Sequence, residues 1–79
     1  MERFERLRAA RKRAGFKTAT AAAESLGLPV ATYVSHENGQ RQFNIDAARQ
    51  YAKRFKVRLS WLIDEEGPMS FEDFVDQNE

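Results

Sequence analysis

Few residues in this sequence could do covalent or metal chemistry. It holds one histidine, His36, and no cysteine, so no zinc set can form, and its scattered acids lack the spacing of a calcium loop. Serine, histidine and aspartate all occur, yet no G-x-S-x-G elbow or glycine-rich phosphate loop frames them, so neither catalysis nor a cofactor is expected. What remains is polar and cationic chemistry. Residues 1–63 carry all 13 Lys and Arg with 5 acids, a balance of +8, while residues 64–79 carry 7 acids and no Lys or Arg, a balance of −7. The net charge of +1 conceals this split. A basic body of this size suits a polyanion partner.

The elements that must position these groups fit into 79 residues, enough for one domain with a modest core and not for two. A hydrophobic content of 42% with only 4 Gly and 2 Pro is that of a folded globular chain. No run approaches the roughly 20 apolar residues that span a bilayer, and the charged start does not read as a signal peptide. With no cysteine to report an oxidising compartment, the cytoplasm is the expected home.

Helical periodicity runs through the chain, and no strand pattern or internal repeat interrupts it. Phe4, Leu7, Arg11 and Ala14 line one face of a first helix, about Arg3 to Ala14, which Gly15 stops. Thr18 is a good N-cap for an alanine-rich second helix, Ala19 to Leu26, ended by Gly27. Pro29 suits the first turn of a third helix that runs to about Asn38. Asn44 caps a fourth, with Ile45, Ala48, Tyr51, Ala52 and Phe55 as its apolar stripe, and Ser60 caps a short fifth to about Asp64. The expected fold is all-α: a compact five-helix domain over 1–67 and a short acidic tail over 68–79. In the tail, Phe71, Phe74 and Val75 have helical spacing amid acids.

The second and third helices, joined by a turn at Gly27 and Leu28, have the proportions of a helix-turn-helix, whose second helix enters the major groove. Small Ala23 lets the helices approach, Gly27 takes the backbone angle of the turn, and Tyr33 is expected to point into the core. Four segments in order, LRAARKRAGF, TAAAESLGL, ATYVSHENGQR and AKRFKVRLSWLI, resemble the phage repressor and Cro family, also called the XRE family, over about residues 3–64. Gly27 and Gly39 have the family's spacing; between Gly15 and Gly27 there is one residue more than usual, assigned to the Phe16–Lys17 loop.

The resemblance implies sequence-specific binding of double-stranded DNA by a transcriptional regulator, a repressor reading a pseudo-palindromic operator. It puts Pro29, Val30, Ala31 and Ser35 on the groove-facing side of the recognition helix. Val30 and Ala31 can offer only apolar contact, such as with a thymine methyl, or they simply fill the helix. Specificity then rests on Thr32, Ser35, the loop residues Gln40, Arg41 and Gln42, and DNA shape. Thr18 and Thr20 lie where the family contacts the backbone, although capping alone explains Thr18; Lys17, Asn38, Gln40 and Arg41 lie where phosphate contacts are expected. The family also pairs the positions of Arg11 and Glu37, implying a partly buried ion pair. His36 reads as a packing residue.

Family members usually pair through the last helix, here Val57, Leu59, Trp61 and Leu62, which implies a homodimer; Trp61 could equally fill its own protomer's core. The acidic, Phe-containing tail suggests an alternative, an antitoxin that binds both its operator and a toxin partner. The tail could also extend the dimer interface or fold onto the basic face.

Overall fold

The computed structural model describes residues 1–70, so Phe71, Phe74 and Val75 lie outside the described residues. Five helices follow one another: α1 (Arg3–Arg13), α2 (Ala19–Leu26), α3 (Val30–Glu37), α4 (Ile45–Phe55) and α5 (Leu59–Asp64). Among the described residues there is no strand.

Each helix start has a local cause. At α1 a capping box operates: the Glu2 side chain accepts from the N3 backbone while Glu2 N–H donates to Glu5 Oε1 at 2.8 Å. Thr18 Oγ1 accepts from Ala21 N–H at 3.1 Å to open α2, and Asn44 Oδ1 accepts from Ala47 N–H at 2.9 Å to open α4. Pro29 stands one position earlier than expected, as the N-cap of α3, where its fixed φ of −58° and extended ψ lead into the helix. Ser60 does not cap α5. That helix already begins at Leu59 after Arg58, with no side-chain cap. Its other end is held instead by α1: Arg6 donates through Nε to Leu62 O at 2.8 Å and through Nη2 to Ile63 O at 2.6 Å. A cation on the last carbonyls opposes the helix dipole and occupies acceptors that have no partner within the helix.

The core gathers one residue or more from every helix: Leu7 and Ala10, Ala22 and Ala23, Tyr33, Ala48, Tyr51 and Phe55, Trp61 and Leu62, with Phe43 from a loop. Aromatic rings make its centre. Tyr33 meets Tyr51 edge-on at 5.5 Å, Phe43 meets Tyr51 at 5.4 Å, and Phe16 from the α1–α2 loop meets Phe55 at 5.7 Å. Such pairs add about 0.5–1.5 kcal/mol each to the burial of their area, which matters in a domain with little interior. The α4 stripe differs from expectation at one end, since Ile45 is exposed in the first turn. Residues 68–70, grouped with the tail by composition, lie against the domain: Arg58 N–H donates to Met69 O at 2.8 Å, and the buried Ser70 hydroxyl accepts from Arg13 Nη2 at 2.8 Å.

Candidate nucleic-acid interface

The pairing of α2 with α3 is the most extensive between any two helices, and small side chains make it possible. Ala22 and Ala23 are fully buried, so the two backbones approach closely. Three residues, Gly27 to Pro29, turn the chain. Gly27 sits at φ 71° with open space where a Cβ would stand, so backbone angle and not room selects glycine there. Its N–H and that of Leu28 return to the carbonyls of Glu24 and Ala23, closing the end of α2.

Burial fixes which side of α3 faces out. Tyr33, Ser35 and Glu37 are buried, whereas Pro29, Val30 and Ala31 are exposed and Thr32 is half-buried. Ser35 therefore lies inward of the groove-facing set, and its hydroxyl donates to Thr32 O at 2.7 Å. Past the helix, Asn38, Gln40, Arg41 and Gln42 are all exposed; Arg41 N–H donates to Ser35 O at 3.1 Å, folding this loop back onto the end of α3. Lys17, Thr18 and Thr20 are exposed around the start of α2.

One buried arginine joins these two exposed groups. Arg11 Nε donates to Glu37 Oε2 at 2.9 Å, beside Asn38, and its Nη1 donates to Phe16 O at 2.8 Å, beside Lys17. Both side chains of this ion pair are less than a tenth exposed. In the α1–α2 loop Phe16 meets Phe55, with ring centroids 5.7 Å apart. Arg8, which spacing did not single out, adds a bond from Nη2 to Glu37 O at 3.2 Å.

A family model described as Helix-turn-helix matches residues 7–62, most of the chain, from α1 into α5. This chain is a helix-turn-helix protein of the phage repressor and Cro type. No curated protein and no solved structure matches it. The helix-turn-helix family is one of DNA-binding transcription regulators.

The charge environment of the helix-turn-helix is set by burial. Burial raises the Tyr33 phenol far above its ordinary range, and the neighbouring Glu37 carboxylate raises it further; the hydroxyl has no partner in hydrogen-bonding geometry. Tyr51 is pushed up to about 12 by burial. His36 is held below its ordinary 6.5, by burial first and by nearby Arg41 second. Its Nδ1 lies 2.6 Å from Tyr51 Oη, and its ring packs on Phe43 and Tyr51, which makes it a link between α3 and α4. Among the described residues no His, Asp and Glu cluster could hold a metal ion, and no helix is long and apolar enough to cross a membrane. Of the four residues assigned to subunit pairing, Val57, Trp61 and Leu62 are buried in their own protomer and Leu59 is half-buried.

Proposed function

We propose that this protein binds duplex DNA in a sequence-specific manner, laying α3 along the major groove, and represses transcription from a pseudo-palindromic operator. The observation that carries the reading is the division of α3. Its N-cap Pro29 and first residues Val30 and Ala31 are exposed, while Tyr33 and Glu37 anchor the opposite side. A rigid helix with one free face is what direct readout requires.

The groove-facing surface is apolar, so Val30, Ala31 and the Thr32 methyl favour thymine methyl groups over hydrogen-bonded base edges. Ser35 takes part only indirectly, since its hydroxyl is occupied within the helix. Polar readout falls to Gln40, Arg41 and Gln42, whose side chains can bond adenine or guanine edges, or track phosphate positions that depend on DNA shape. Lys17, Thr18, Thr20 and Asn38 contact the phosphates on either side of the groove, and Arg11 fixes the distance between these two groups. Two copies occupy the two half-sites as a homodimer. With Val57, Trp61 and Leu62 in the core, pairing through the last helix falls to Leu59 and to Ser60 and Ile63, which are half-buried like it.

Selection from a random duplex library at near-physiological salt tests this reading. An enriched inverted repeat, with half-sites centred about 10 base pairs apart or a multiple of that, is the expected result. Weak, unselective binding that collapses as salt rises would contradict it.

A further inference from the structure

We propose that the cleft between the start of α1 and the loop after α3 is a binding site for a small aromatic carboxylate. The cleft measures about 380 Å³, within the range of small-molecule sites. Its walls are of two kinds. Phe4 and Ile63, both half-buried, and the edge of the buried Phe43 give apolar surface, and Gly39 lets the Phe4 ring lie so close that a Cβ there would stand 3.0 Å from Phe4 Cδ1. Arg3, Arg6 and Arg41 give cations, against the single carboxylate of Glu2, which the capping box already engages.

Arg6 makes this more than a basic surface. It is 5% exposed, yet its guanidinium meets only carbonyl oxygens, those of Met1, Leu62 and Ile63, and among the described residues no carboxylate pairs with it. A buried cation ordinarily has a counter-charge. Arg3 is likewise bound only to Ile63 O, through Nε at 3.3 Å, so its terminal nitrogens remain for a ligand. A carboxylate accepts two parallel N–H bonds from a guanidinium, and an aromatic body attached to it would lie against the Phe4 ring. Inorganic phosphate or a DNA backbone would meet the same cations but leave the apolar walls unused.

His36 lines the cleft and is the only histidine in the chain, so its ring resonance is an unambiguous probe that needs no DNA in the sample. The 79-residue protein is titrated with benzoate and with phenylacetate while the His36 ring signal is followed by NMR. The expected result is a saturable shift with a Kd of about 1 mM or tighter, and a rise in the His36 pKa on saturation. Arg3→Gln and Arg41→Gln should each weaken binding roughly tenfold, with thermal melts establishing that both variants are folded. Absence of saturation at about 10 mM ligand, an equal response to acetate or inorganic phosphate, or unchanged affinity in the folded Arg3→Gln protein would each overturn the proposal.

Discussion

Arg11 shows how much of this interface depends on one side chain. Its guanidinium pairs with Glu37 and bonds Phe16 O with both charges withdrawn from water, so its removal leaves the buried carboxylate beside the Tyr33 phenol with only the longer ion pair to Arg8 Nε at 3.9 Å. Arg11→Met should lose about 3–5 kcal/mol of stability in urea unfolding, and Arg11→Met with Glu37→Met should recover part of that loss. Equal stability of wild type and Arg11→Met would remove the pair from the account. His36 gives a pH signature of defined sign. Its folded pKa is lowered by burial and then by Arg41, so between that value and the unfolded value of about 6.5 the unfolded chain binds more protons. Stability is therefore full above about pH 6.5 and declines as pH falls through the folded pKa. Urea midpoints followed downward from pH 7 should fall more steeply in the wild type than in His36→Phe. The ion pair was legible in the sequence because its two positions follow a family pattern. The anchoring of α5 by Arg6 was not, because those partners stand 56 and 57 residues apart and nothing local marks them.

Among the elements, those with strong local signals were readable. Thr18 and Asn44 cap α2 and α4 as their chemistry requires, and Gly27 ends α2. The start of α5 was misplaced because Ser60 is a good capping residue in isolation, whereas packing of Leu59 and Trp61 and the Arg6 bonds decide where that helix runs. The exposed face of α3 was legible at Pro29, Val30 and Ala31. At Ser35 the family resemblance implies a groove-facing side chain, but the hydroxyl satisfies itself on the Thr32 carbonyl and so can be buried. Two substitutions test the backbone reasoning with opposite signs. Gly27→Ala places a Cβ at φ 71° and should cost about 1 kcal/mol or slightly more. Lys56 already sits at φ 58° as the C-cap of α4, so Lys56→Gly should stabilise by up to about 1 kcal/mol. Thermal or urea unfolding reads both.

At the scale of the whole molecule, the near-neutral total hides a basic body, the part proposed to meet DNA. Binding should weaken with salt along a slope of about −0.9 per phosphate contacted, and Lys17→Gln and Arg41→Gln should each make that slope shallower by about one contact. Unchanged slopes would place both side chains away from phosphate. The central claim concerns α3, and the measurement that tests it most directly is the same random-duplex selection run on the wild type and on Val30→Gln/Ala31→Gln. These two residues are exposed, so the variant should unfold like the wild type. Wild type is predicted to enrich an inverted repeat with thymines at the positions facing Val30 and Ala31, and the variant to keep the half-site spacing while changing those bases. The same enriched sequence from both proteins would contradict reading by the face of α3.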